Sequence, residues 1–118
     1  MIMASYQEYK IELDFYQHEA VKSLAEVNLL NGLIKTLRDE NDSLAKKVHE
    51  FECSKIPDHA HDPEQETIKA MLDNGVRIKY YELRKEKAMK EHCDVMKRIV
   101  ELQGLLSHIE HCHPDKVN

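Results

Sequence analysis

The residues best suited to chemistry in this sequence are its histidines and cysteines, eight and three respectively. A first group consists of His49, Cys53, His59 and His61. His49 and Cys53 are four residues apart and therefore share one face of a helix. Imidazole nitrogen and thiolate sulfur are ligands of tetrahedral zinc, so the group predicts a zinc site closed by the segment that carries His59 and His61. The spacing matches no recurrent zinc pattern, and an exposed polar helix end is the alternative.

A second group lies near the end of the chain. It consists of His108, His111, Cys112 and His113. His108 and Cys112 again share a helix face and could bind metal between two copies of the chain. Histidine cations in the last turn of a helix are also favoured by the helix dipole, which explains the group without any metal.

A basic stretch is the best candidate for binding a macromolecule. Its residues are Arg77, Lys79, Tyr80, Tyr81, Arg84, Lys85, Lys87 and Lys90. The two tyrosines could stack on bases. Most of the cations, however, have an acidic residue three or four positions away, which is typical of an exposed, salt-bridged helix. The stretch therefore predicts an acidic protein partner rather than nucleic acid, and the net charge of −5 argues against nucleic acid and anionic membrane alike.

The sequence contains no motif that predicts catalysis. It has neither a glycine-rich phosphate loop nor a nucleophile elbow, and its paired carboxylates have the spacing of helix surface charges. No apolar run approaches the roughly 18 residues that a membrane span requires, and the first residues do not resemble a signal peptide. With an odd number of cysteines, we expect free thiols in a non-enzymatic, intracellular protein of the cytoplasm or nucleus.

The helix that must position these groups carries a seven-residue apolar repeat from Tyr6 to Phe51. Its stripe supplies the predicted oligomer interface: Leu13, Tyr16, Val27, Leu30, Ile34, Leu37, Asn41, Leu44, Val48 and Phe51. The repeat is sustained well beyond the three to four heptads that indicate a coiled coil. Because so narrow a stripe must be covered by another helix, it predicts self-association through this first helix.

Three residues qualify this prediction. Asn41 occupies an a position, one of the two core positions (a and d) of the seven-residue repeat. There it would pair with the Asn41 of a second chain in a parallel two-stranded coil. Alternatively, it faces solvent at a frayed or antiparallel seam. Leu24 and Leu33 flank the stripe and widen the apolar face, which argues for more than two helices at that level.

The boundaries of the elements follow from capping and proline signals. Ser5 and Glu8 form a capping box that starts the first helix, within residues 1–53. Residues 54–62 are a polar linker, and residues 63–113 form a second helix that a turn signal at residues 73–75 could interrupt. Residues 114–118 are a tail. The predicted fold is all-α, with two long helices joined by a short linker, in a coiled-coil homodimer or a four-helix bundle.

Three functions remain open on the sequence. The first is a scaffold or adaptor that self-associates through the first helix and presents the second to a protein partner of unknown identity. The second is a small helical inhibitor that blocks a larger protein. The third is an interaction module that zinc, the one cofactor considered, stabilises through the histidine and cysteine groups.

Overall fold

The computed structural model describes residues 5–53 and 61–112. They form two helices, α1 (Tyr6–Cys53, 48 residues) and α2 (His61–Cys112, 52 residues), which pack against each other. No strand occurs within the described ranges, so the predicted all-α helix pair is confirmed. Neither described helix contains a segment long and apolar enough to cross a membrane. The predicted tail and nearly all of the predicted linker lie outside the described residues.

The start of α1 is fixed by the predicted capping box, which the structure confirms. The backbone N–H of Glu8 donates to the hydroxyl oxygen of Ser5 at 3.1 Å. In return, the backbone N–H of Ser5 donates to a carboxylate oxygen of Glu8 at 3.4 Å. Two of the backbone groups that a helix start leaves without intrahelical partners are thereby satisfied.

α2 begins two residues before Pro63, which lies in its first turn, where a proline removes no intrahelical hydrogen bond. The helix continues through residues 73–75, although Asp-Asn-Gly is a turn signal. Gly75 does not adopt the positive φ of a helix-ending glycine. Asn74 is only 5% exposed and its side chain bonds to α1, so tertiary contact favours the helix here over the local preference for a turn.

The described residues fall into two compact units. The first combines Ser5 and residues 6–27 of α1 with residues 87–112 of α2, and the second combines residues 28–53 of α1 with residues 61–86 of α2. Each unit is a pair of helical segments with its own buried side chains.

In the first unit the two helical segments run antiparallel. Tyr6 contacts Glu110, whereas Ser23, further along α1, contacts the earlier residue His92. The buried apolar side chains of this unit are Tyr6, Ala20, Ala88, Ile99, Leu102 and Leu106. The hydroxyl of Ser23 and the imidazole of His92 share a hydrogen bond, with 2.8 Å between Oγ and Nδ1, so the polar residues of this seam are paired.

An ion pair marks one side of the first unit. Nε and Nη2 of Arg98 donate to the same oxygen of Glu12, at 2.9 and 2.7 Å. Nη1 of Arg98 also donates to Glu101 at 3.1 Å. The hydrogen bonds to Glu12 and then to Glu101 raise the pKa of Arg98, so the guanidinium keeps its charge.

The second unit is antiparallel as well, and its centre contains a polar layer. Nδ2 of Asn41 donates to the carbonyl oxygen of Met71 at 3.2 Å, and Nδ2 of Asn74 donates to Oδ1 of Asn41 at 3.0 Å. The buried apolar side chains of this unit are Leu30 and Ile34. Arg38 and Glu82 form an ion pair beside them. The partner of Asn41 is therefore an asparagine of α2 in the same chain rather than a second Asn41.

The Tyr6 hydroxyl ties stability to pH. It donates to Oε1 of Glu110 at 2.5 Å. This hydrogen bond, followed by burial and by the charge of Glu110, raises the pKa of Tyr6 above its ordinary value of 10.0. A phenol whose pKa is higher in the folded state stabilises the fold below pH 10, and this contribution is lost as the pH rises through the raised pKa.

We therefore expect Tyr6→Phe to lower the free energy of unfolding at pH 8 and to reduce its fall above pH 10. Urea unfolding at pH 8 and over a series of pH values above 10 measures the two effects. Tyr9→Phe, a change at a half-buried tyrosine of the same helix, is the control and should leave the alkaline fall as in the wild type. An unchanged alkaline fall in Tyr6→Phe would contradict the role of this contact.

Candidate functional site

The predicted oligomer interface faces α2 of the same chain. Leu30 and Ile34 are buried. The other members are half-buried: Leu13, Tyr16, Val27, Leu37, Asn41, Leu44, Val48 and Phe51. In each unit the segment of α2 buries part of this stripe, and the more exposed apolar residues lie elsewhere on the two helices.

The basic stretch does not form a single surface. Tyr81 and Lys85 are half-buried, at positions that point toward α1. The exposed members are Arg77, Lys79, Tyr80, Arg84, Lys87 and Lys90. The guanidinium carbon of Arg84 lies 5.8 Å from the centre of the Tyr80 ring, a cation–π contact within the helix. The predicted acidic partner would meet dispersed cations rather than a continuous patch.

The two His-x-x-x-Cys pairs are each brought together. Sγ of Cys53 lies 3.4 Å from Nε2 of His49, and Sγ of Cys112 lies 3.6 Å from Nδ1 of His108. His59 lies outside the described residues, as do His113 and the side chain of His61. Among the residues that are described, no three metal-binding side chains converge on one point, so each pair offers two ligands.

An apolar stripe on α2 of the first unit remains open. Its members are Met89, Cys93, Met96 and Val100, all exposed. Their alternating spacing of four, three and four residues keeps them on one side of the helix. Between His92 and Glu101 this side forms an open groove of about 520 Å³, lined also by Lys97.

α1 extends the same apolar side with two exposed residues, Val21 and Leu24. Arg98 and Glu12 meet on one side of the seam in this unit, each directly before a seam residue, Ile99 in α2 and Leu13 in α1. Leu24 directly follows the seam residue Ser23, and Met96 directly follows the seam residue Val95. Both therefore lie on the side of the seam opposite Arg98 and Glu12. We call this surface the methionine face; it consists of Val21, Leu24, Met89, Cys93, Met96 and Val100.

A second exposed row, in the other unit, is less continuous. It contains Ile68, Leu72, Val76 and Tyr80. Residues four apart drift about 40° around a helix of 3.6 residues per turn, so this row winds around α2 instead of presenting a flat side. The methionine face is therefore the better candidate for a specific contact.

Sequence reasoning placed the seam of α2 correctly but missed the methionine face, because it treated Met96 and Val100 as a widening of that seam. The structure assigns that seam to Val95, Ile99, Leu102, Leu106 and Ile109, and leaves Met96 and Val100 on an adjacent side. The signal was present in the spacing, since Met89, Cys93, Met96 and Val100 form a separate four-three-four series.

Comparison with protein-family models, with curated protein sequences and with solved structures found no match to this chain.

Proposed function

We propose that this chain is a non-enzymatic interaction protein that binds a second copy of itself through the methionine face. The single observation that supports this most directly is the exposure of that face, in which six apolar residues from two helices form one surface. Leu24 is 48% exposed and Met96 is 41% exposed, although both are large and apolar. Neighbouring exposed apolar residues bordered by polar ones are typical of a site that another protein covers.

The limited burial within one chain supports a second copy as the occupant. Among the described residues, Leu30 and Leu102 are the two large side chains that are fully buried. The free energy that a pair of helices gains by burying so small a core is too little to offset the entropy lost when the chain is ordered. Small helical folds commonly gain the remaining stability by association. A copy of the same chain supplies a matching apolar face at an equal concentration.

The geometry of the face suits a four-helix bundle. Two antiparallel helix pairs that meet face to face would bury Leu24 and Met96 in a new layer between the pairs. Methionine adapts its shape to a facing surface, which favours close packing of two such layers. The earlier expectation that Leu24 widens the apolar surface beyond two helices agrees with this arrangement.

The adaptor role predicted from the sequence extends this proposal. With the methionine face occupied by a second copy, the exposed cations Lys79, Lys87 and Lys90 of α2 would stay in solvent. They are the residues left to attract an acidic protein partner, and they would affect its rate of association more than its affinity.

Met96→Glu tests the proposal, with Leu105→Glu as the matched control. Leu105 is 38% exposed on the same helix and in the same unit, but lies seven residues after Arg98 and hence on the opposite side. A carboxylate in a buried interface costs at least about 1.4 kcal/mol, which is tenfold in affinity. We expect light scattering to give twice 13.8 kDa for wild type and Leu105→Glu, and a shift to single chains for Met96→Glu.

Circular dichroism at the same concentrations confirms that both variants are helical before their masses are compared. A wild-type mass of 13.8 kDa at high micromolar concentration, with full helix content, would refute the proposal. A loss of association in Leu105→Glu but not in Met96→Glu would place the interface on the other side.

A further inference from the structure

Both helices end in the same short pattern. Each has cysteine as its last residue and histidine four residues earlier: His49 with Cys53, and His108 with Cys112. All four side chains are exposed, and in both pairs the sulfur and a ring nitrogen approach each other. The methionine face uses none of these residues, so the pairs call for an explanation of their own.

The separation within each pair matches that of two ligands on one zinc ion. Zinc binds sulfur at about 2.3 Å and imidazole nitrogen at about 2.0 Å, and at a tetrahedral angle these bonds hold sulfur and nitrogen about 3.6 Å apart. Sγ of Cys112 and Nδ1 of His108 lie 3.6 Å apart. The helix thus presents both ligand atoms at the distance that a shared zinc ion requires.

The charge around His108 and Cys112 favours a cation. From Glu101 to Cys112 the sequence contains two glutamates and no lysine or arginine. The C-terminal end of a helix also carries partial negative charge. The pair in α1 is less favourable, because Lys46 and Lys47 lie within one turn of His49.

We propose that His108 and Cys112 form half of a zinc site, and that the same pair from a second copy completes a tetrahedral site of two histidines and two cysteines. Two ligands leave zinc with open positions, whereas four close the tetrahedron that structural zinc prefers. Binding deprotonates each cysteine thiol, and the released protons go to the solvent. This contact is separate from the methionine face and does not depend on it.

The test uses a Cys53→Ser background, which removes the pair in α1, with thiols kept reduced by a phosphine rather than a zinc-binding dithiol. We expect zinc chloride to at least double the zinc-free mass measured by light scattering, since each chain of a methionine-face dimer carries its own pair, and elemental analysis to give one zinc for two chains. Cobalt(II) in place of zinc should show the absorption of a tetrahedral thiolate site. Cys112→Ser and His108→Ala should each abolish the zinc-dependent doubling.

Cys93→Ser, added to Met96→Glu so that the methionine face no longer contributes to the mass, is the matched control, because Cys93 is an exposed cysteine of α2 with methionine, not histidine, four residues earlier. Cys93→Ser should bind as much zinc as the same protein without this substitution. Zinc binding without a change in mass, binding that survives Cys112→Ser, or equal loss in Cys93→Ser would each overturn the proposal. Repeating the titration in Met96→Glu distinguishes this contact from the methionine face, since zinc should still double the mass of that variant.

Discussion

Replacing Leu30 by alanine should lower the free energy of unfolding by about 2–5 kcal/mol, the usual cost of removing a buried leucine side chain. Leu30 is 1% exposed and is one of the two fully buried large side chains in the described part of the chain. The substitution removes apolar contact and leaves a cavity between α1 and α2 of the second unit. Urea unfolding followed by circular dichroism measures the change.

Leu29→Ala provides the matched control for this prediction. Leu29 is the adjacent residue of the same helix but is 64% exposed, and the substitution has the same effect on helix propensity. We expect it to change stability by no more than about 0.5 kcal/mol. Both variants must be compared at one protein concentration, because association adds to apparent stability. Equal losses in the two variants would show that Leu30 is not buried as described.

The second large effect is expected at the polar layer of Asn41 and Asn74. Replacing Asn74 alone by leucine removes the amide that donates to Oδ1 of Asn41 and leaves that oxygen in a partly buried site without its donor. The loss should be about 1–3 kcal/mol. Replacing both asparagines by leucine also removes the Asn41 oxygen that would otherwise lack a hydrogen-bond donor. The double replacement should therefore restore or exceed the wild-type stability.

A double-mutant cycle over the two sites measures their coupling by urea unfolding. Asn31→Leu, a change at an exposed asparagine of α1, controls for the higher helix propensity of leucine. Single and double variants whose effects simply add would contradict the described hydrogen bond. Because a buried polar pair penalises misaligned registers, we also expect the double variant to show more than one associated species in light scattering.

Much of α1 could be predicted from the sequence because its signals are local. The capping box joins Ser5 to Glu8 within one turn. The seven-residue repeat identified the side of the helix that the structure buries around Leu30 and Ile34. Both signals depend only on residues within a few turns, where helix geometry fixes which side chains are neighbours.

The central seam of α2 could not be read in the same way. Its positions include the polar residues Asn74, Lys85 and His92, which interrupt the apolar pattern until it resumes at Val95. Asn74 and His92 are tolerated because polar residues of α1 lie opposite them. One signal was overlooked: Ser23 and Asn41 are separated by 41 − 23 = 18 residues, and Asn74 and His92 by 92 − 74 = 18.

The sequence by itself thus determined that the chain forms two long helices, where α1 starts, and which side of α1 must be covered. Only the tertiary structure decided that α2 of the same chain covers that side, that Asn41 bonds to Asn74, and that Met96 is left facing outward. Helix formation and amphipathicity arise from neighbours along the chain, whereas the choice of a covering surface depends on side chains that folding brings together from distant positions.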